Sequence, residues 1–231
     1  MDWEQKLSDG VTPPKPVIAV DGPAASGKGT LARRLAAHYG FAYLDTGALY
    51  LAVALSVIDA GHAPESEPHG VAAAETLKMA QLDEADFAAR LRTAETGKAA
   101  SIVAAMPDVR AAILSAQRRF AENPPDNKSG AVLDGRDIGT VVCPDASAKL
   151  FITANAAIRA ERRWKELRIG DAALSLAEVL VDIEARDARD KSRAIAPMKQ
   201  AADALLLDTS DLSIEEAFTA ALALVESKLN L

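Results

Sequence analysis

The sequence predicts an α/β fold, a five-stranded parallel sheet flanked by helices, and three observations lead there. Short apolar runs rich in Val, Ile and Leu alternate with stretches of helical spacing, the pattern of strands buried on both faces and joined by helical crossovers. The first run passes directly into a glycine-rich turn and then a helix. Three of the five runs end in polar segments, 21–30, Asp45-Thr46-Gly47 and Asp134-Gly135-Arg136-Asp137, in the place where parallel sheets bind ligands.

Taken in order, the run 17–20 is the first strand, and the stretch after Thr30 is a helix, with Leu31, Leu35, Ala36 and Tyr39 on one face and Gly40 as its stop. A second strand at 41–44 leads to a helix through Ala60, capped by Thr46. Gly61, Pro64 and Pro68 mark a loop over 61–70. Helical stretches follow around 71–80, 84–91, 97–105 and 108–122, closed by Asn123-Pro124-Pro125-Asp126. Strands at 131–133 and 149–152 precede an Arg-rich helix over 155–168, broken by Gly170-Asp171. Ser175 caps a helix reaching about Arg189, and 204–207 is the fifth strand. Ser213 caps the closing helix, with an apolar stripe of Ile214, Phe218, Leu222 and Val225.

Composition narrows the function. A chain of 231 residues with 49% apolar content can bury a full core. A net charge of −7 argues against a nucleic-acid coat, so any polyanion must meet a local basic cluster. The lone Cys143 excludes an internal disulfide and reads as a small apolar residue, while His38, His62 and His69 have no metal-ligand spacing. No apolar run reaches the ~18 residues of a membrane span and the first residues are polar, which points to the cytoplasm.

The segment Asp21-Gly22-Pro23-Ala24-Ala25-Ser26-Gly27-Lys28-Gly29-Thr30 is a phosphate cradle of the P-loop type. Two glycines let the backbone curl around an anion, the helix N-terminus adds partial positive charge, and Lys28 adds a full one. Arginines supply the second clue. Arg159, Arg162 and Arg163 share a helix face, which reads either as a solvated face or as an anion clamp. Arg186, Arg189, Lys191 and Arg193 follow, and Ile195-Ala196-Pro197 places these charges on a bend. A P-loop with arginine clusters suits phosphoryl transfer, where positioning and cations supply most of the catalysis. No histidine base accompanies the motifs. An acceptor that is itself a phosphate, with a second pKa near ~6, needs none.

These motifs resemble bacterial cytidylate kinase, the (d)CMP branch of the nucleoside monophosphate kinases, from Val17 to the C-terminal helix. The carriers are the cradle with its Lys-Gly-Thr form, Asp45-Thr46-Gly47-Ala48-Leu49-Tyr50, Ala99-Ala100-Ser101 with Val109-Arg110, the run Asp134-Gly135-Arg136-Asp137-Ile138-Gly139-Thr140-Val141-Val142, and Arg186-Asp187-Ala188-Arg189-Asp190 with Arg193-Ala194-Ile195-Ala196-Pro197. The resemblance implies a P-loop kinase core at 17–60, 108–154 and 190–231, an acceptor-binding helical subdomain at about 61–107 and a mobile Arg-rich lid at about 155–175, after a flexible leader at 1–16. It implies transfer of the γ-phosphoryl group of ATP to CMP or dCMP, with Mg2+, by a monomer that binds neither nucleic acid nor membrane.

The implied roles are specific. Gly22, Pro23, Ala24, Ala25, Ser26, Gly27, Lys28, Gly29 and Thr30 hold the ATP phosphates, with Arg159, Arg162 and Arg163 in the lid over ATP. Asp134 and Thr30 serve Mg2+, partly through water. Thr46 and Tyr50 line the monophosphate site, and Ser101, Arg110 and Asp137 read the cytosine. Arg136 grips the CMP phosphate, Arg186 and Asp190 meet the ribose, and Arg193 the phosphates; Lys28, Arg136 and Arg193 carry the catalysis. A carboxylate accepts from the cytosine amine and repels the uracil oxygen in its place. Leu51 stands where many relatives carry arginine, and residues 81–98 look helical where longer relatives insert a small sheet. The nearest rival is the same chemistry on UMP or AMP. A regulatory GTPase would need Asn-Lys-x-Asp, and Asn127-Lys128-Ser129-Gly130 lacks the carboxylate.

Overall fold

A computed structural model describes residues 14–78, 82, 84–91, 93–168 and 174–229. One sheet contains β1 (Val17–Asp21), β2 (Ala42–Asp45), β3 (Ala131–Gly135), β4 (Ala148–Thr153) and β5 (Leu205–Asp208). The helices are α1 (Lys28–Tyr39), α2 (Thr46–Asp59), α3 (Glu67–Thr76), α4 (Ala85–Leu91), α5 (Ala94–Val103), α6 (Pro107–Glu122), α7 (Ala156–Leu167), α8 (Leu176–Ser192) and α9 (Ile214–Glu226). A π turn, Ile138–Val142, follows β3. Among the described residues no single helix is long and apolar enough to cross a membrane.

The strand order is β2-β3-β1-β4-β5, and every pairing is parallel. The chain runs outward from β1 to β2, returns through β3 and then crosses β1 to reach β4 and β5, so the winding reverses at β1. A crevice opens beyond the carboxyl end of such a strand. Register fixes what faces it: Val20 lies beside Asp134, Asp45 beside the same Asp134, and Asp21 beside Gly135 and Phe151.

Both sheet faces are covered. Ile18 and Val20 point to the layer of α1 and α9, packing with Leu31, Leu35, Ile152, Ala217 and Val225. Ala19 and Leu133 point the other way, to Leu49 and Val53 of α2, Val103 of α5 and Val109 and Ile113 of α6. This two-sided burial is why the strands read as continuous apolar runs rather than as alternating ones.

Local details differ from the sequence expectations. Asp45, not Thr46, caps α2: its Oδ1 accepts from the Ala48 amide at 3.1 Å, and Thr46 Oγ1 instead donates to the Asp134 carbonyl at 2.6 Å. Pro68 lies in the first turn of α3 rather than in a loop, since a proline there gives up only an amide that no helical carbonyl would accept. The closing helix buries Ala217, Ala221 and Val225, leaving Ile214 62% exposed, because the small alanines let the helix approach the sheet closely. Helix α8 continues to Ser192, so Arg186 and Asp190 sit on regular helix and the bend begins only at Arg193. The expected break at Gly170-Asp171, and the leader except for its last three residues, lie outside the described residues.

Candidate active site

The glycine-rich segment 22–27 links β1 to α1 and curls against the end of β4. At Gly22, with φ +144°, a Cβ would meet the Ile152 carbonyl oxygen at 1.9 Å, so only glycine fits. Gly27 takes φ 86° at the N-cap of α1, and no side chain caps that helix. Its first-turn amides and partial positive charge therefore face the loop, the arrangement that receives phosphate. Ser26 Oγ is buried without a hydrogen-bond partner among the described residues. At Gly29 a Cβ would meet Asp134 Oδ2 at 2.9 Å, which explains the glycine after Lys28: its bareness lets the carboxylate lie against the helix. Thr30, in the first turn of α1, is exposed.

Across the crevice the arginines are braced by carboxylates. Arg110 Nη2 donates to Asp137 Oδ2 at 2.5 Å and its Nη1 to the Ala104 carbonyl at 3.2 Å, and the guanidinium lies 5.6 Å from the centre of the Tyr50 ring. Arg136 Nε donates to Asp190 Oδ2 at 2.8 Å, and Arg193 pairs with the other oxygen of Asp190. Asp190 thus ties together the arginine after β3 and the arginine at the end of α8. The side chains of Lys28 and Arg186 have no hydrogen bond or ion pair among the described residues. The structure therefore gathers Lys28, Tyr50, Arg110, Asp134, Arg136, Asp137, Arg186, Asp190 and Arg193 around one crevice, linked directly or through electrostatic coupling. Ser101 is half-buried on α5, its hydroxyl donating to the Gly97 carbonyl at 3.2 Å.

Comparison with known proteins decides the family. The family model for cytidylate kinase matches residues 18–227. The cytidylate kinase of Xanthobacter autotrophicus is 58% identical over 92% of this chain and 98% of its own, and that of Azorhizobium caulinodans 56% identical over 91% and 98%. The chain belongs to the cytidylate kinase family. Among solved structures, an uncharacterized protein from Eubacterium ventriosum shares the fold, with a TM-score of 0.51 and 12% identity over 92% of this chain and 99% of that one.

The charges of this family member's crevice perturb one another. Burial and repulsion by Arg136 lower Lys28 to about 8, against the pull of Asp134 and Asp45. Burial, with repulsion by Arg136, lowers Arg186 to about 10. Burial and repulsion by Asp45 raise Asp134 to about 6, although Lys28 and the Tyr43 hydroxyl oppose this. Burial raises Tyr50 to about 12. Burial pushes Asp137 up against the opposing pull of Arg110. Burial acts the same way on Asp190, but Arg136 and Arg193 more than offset it and hold the group below the usual carboxylate range. Two unpaired cations, each disfavoured by its cationic neighbours, make a site that an anionic ligand stabilises.

The arginines of α7 divide. Arg159 is 4% exposed: it donates to the Ala154 carbonyl at 2.9 Å and the Ala24 carbonyl at 3.2 Å and pairs with Asp187 at 2.5 Å. In this conformation it braces the loop from behind. Arg162 donates to Thr209 Oγ1 at 3.1 Å and the Thr209 carbonyl at 2.7 Å, and Arg163 pairs with Glu166 on the surface.

Four residues have roles that the sequence reading missed. Thr209 Oγ1 donates to the Ser26 carbonyl at 3.0 Å, tying the loop to the end of β5. It follows a strand in a polar run, Asp208-Thr209-Ser210-Asp211, the signal that had marked the other three strand ends. Tyr43 donates to Asp134 Oδ2 at 3.1 Å, and Asp187 anchors Arg159. The fourth is Asp21, the last residue of β1.

Proposed function

We propose that this protein transfers the γ-phosphoryl group of ATP to CMP or dCMP, giving ADP and CDP or dCDP. The observation that carries the choice of acceptor is the buried Arg110–Asp137 pair beside Tyr50. A buried carboxylate accepts from the cytosine amine, and Arg110 donates to its ring oxygen or nitrogen. Uracil would place an oxygen against Asp137 and leave buried groups unpaired, a mismatch worth several kcal/mol by typical estimates.

The loop amides and Lys28 hold the β- and γ-phosphates, Arg136 and Arg193 hold the acceptor phosphate against its like-charged partner, and Arg186 and Asp190 meet the ribose. Both reactants are anions, so the cations do most of the work by positioning and by stabilising charge on the transferring group. The acceptor oxygen is already ionised at neutral pH, so no protein base has to remove a proton.

Mg2+ fits the donor set. Among the described residues no three His, Cys, Asp or Glu side chains form a metal cage. Asp134, with Asp45 near enough to raise it, supplies hard oxygen at the mouth of the loop. That suits an ion that keeps most of its waters and shares the rest of its shell with phosphates. When bound, Mg2+ would neutralise phosphate charge; Asp134 and Thr30 would hold its waters. Burial pushes the Cys143 thiol up to about 11, which disfavours the thiolate; we read the compartment as the cytoplasm. We read the working unit as a monomer, whose lid and acceptor-binding segments move freely.

An ADP-release assay with CMP, dCMP, UMP and AMP tests the reading. CMP and dCMP should be the efficient acceptors. Equal turnover of UMP, or a clear preference for AMP, would overturn the acceptor assignment.

A further inference from the structure

Asp21 performs no step in the mechanism above, yet it is 4% exposed and bonded on both oxygens. Its Oδ1 accepts from the Ile138 amide at 2.8 Å and its Oδ2 from the Gly139 amide at 2.8 Å. These amides open the π turn Ile138–Val142, and parallel pairing brings Asp21 there by setting it beside Gly135, two residues before Asp137. Asp137 occupies the N-cap of the turn, but its side chain makes no capping bond. Aspartate is among the residues that most readily cap a first turn with their own carboxylate. Here those donors are already taken, by a carboxylate from another strand. The side chain of Asp137 is left to face the crevice and pair with Arg110. Gly139 completes the device: a Cβ there would meet Lys149 Cδ at 3.1 Å and Asp21 Oδ2 at 3.4 Å.

We infer that Asp21 is a specificity-positioning residue: by capping the turn in place of Asp137, it holds the Asp137 carboxylate free to recognise the acceptor base. The proposal rests on Asp137 reading cytosine. It also joins the two halves of the site, because Asp21 immediately precedes Gly22 of the phosphate loop. Without Asp21, two buried amides lack an acceptor, and Asp137, at the N-cap of the same turn, carries a carboxylate that can turn back to them. Asp21 acts through Asp137 and touches no substrate.

The test compares wild type, Asp21→Asn, Asp21→Ala, Asp137→Ala and the double variant Asp21→Ala/Asp137→Ala. The readouts are kcat/KM for CMP and UMP at saturating ATP, and KM for ATP. Asp21→Asn keeps the shape and one acceptor oxygen, which guards against simple unfolding; thermal melts of both Asp21 variants report folding. The expected result is a fall of roughly tenfold or more in the CMP-to-UMP ratio for either Asp21 variant, larger than any change in KM for ATP. In the double variant the ratio should fall no further than in Asp137→Ala, since both changes remove the same carboxylate from the base. A folded Asp21→Asn with the wild-type ratio would overturn the role of Asp21, and so would losses that add in the double variant. A wild-type enzyme without CMP preference would overturn the reading of Asp137 itself, which is a separate outcome.

Discussion

Arg110 on α6 and Asp137 after β3 meet at 2.5 Å in an ion pair whose side chains are each 9% exposed. A pair this buried is a weak stabiliser, because desolvation of both charges offsets most of their attraction. It does give a fixed geometry of one donor fork and one acceptor, held by the Ala104 carbonyl on one side and the Tyr50 ring on the other. For a base that offers an amine beside a ring acceptor, that geometry is complementary.

Replacing Asp137 with alanine should therefore cost selectivity before it costs chemistry. The expected outcome is a loss of about 10²-fold in preference for CMP over UMP, with kcat on saturating CMP less affected. Steady-state kinetics on both acceptors decide it; an unchanged preference would remove Asp137 from base recognition.

The Lys28 side chain lies near Arg136 and Arg186 as well as Asp134 and Asp45, and has no ion pair among the described residues. Lys28→Ala should cut turnover by roughly 10³-fold or more on every acceptor alike, since the lost charge acts on the transferring group. Near-normal turnover would take the loop lysine out of the chemistry.

The same lysine gives a pH signature. Burial and Arg136 lower it to about 8, so the free enzyme loses the cation as pH rises through that value. The ammonium is the form that binds polyphosphate, so kcat/KM for ATP should fall above about pH 8. The fall in kcat should come at higher pH, because bound phosphates hold the proton on Lys28. Coincident pH limits for the two parameters would contradict this.

Asp134 should leave its mark on stability. Its carboxyl is raised from 3.8 to about 6, with burial the largest cause. Between those values the native state binds more protons than the unfolded chain, so this contribution to stability is present below about 4 and is lost as pH rises through about 6. Asp134→Asn should flatten that part of the profile while sharply lowering activity. Urea midpoints at several pH values between 4 and 7 would show it; identical slopes for variant and wild type would refute it.

Two glycines of the loop should fail differently. Gly22→Ala places a Cβ 1.9 Å from a backbone oxygen that cannot move aside, and should destabilise the protein by about 3 kcal/mol or more. Gly29→Ala meets the Asp134 carboxylate at 2.9 Å and should fold while losing activity. Thermal melts and turnover measured together separate the two; a stable, active Gly22→Ala would contradict the close packing on Ile152.

Much of this was legible in the chain because it is local. The run 17–20, the glycines around Lys28 and the Ser175 and Ser213 capping boxes each act within a few residues, so strand, turn and helix start are written beside one another. Misplacements came where two local signals compete. Asp45 and Thr46 both suit a cap, and β3 decides between them, because its Asp134 carbonyl accepts the Thr46 hydroxyl. Pro68 marks a loop or a first turn equally well, and only the packing of α3 tells which.

By itself the sequence determined the phosphate cradle, the alternation that makes a parallel sheet, and the polar strand ends that must share one crevice. Strand order and register belonged to the tertiary structure, and with them the contacts that span long stretches of chain. Asp21 reaches Ile138 across 117 positions, and Thr209 reaches Ser26 across 183. Propensity and periodicity operate over a helical turn or a strand's length, whereas these bonds exist only because β1 lies between β3 and β4 and because Asp21 pairs beside Gly135. The same burial that assembled the crevice also set its chemistry, lowering Lys28 and raising Asp134, which no count of charges along the chain could give.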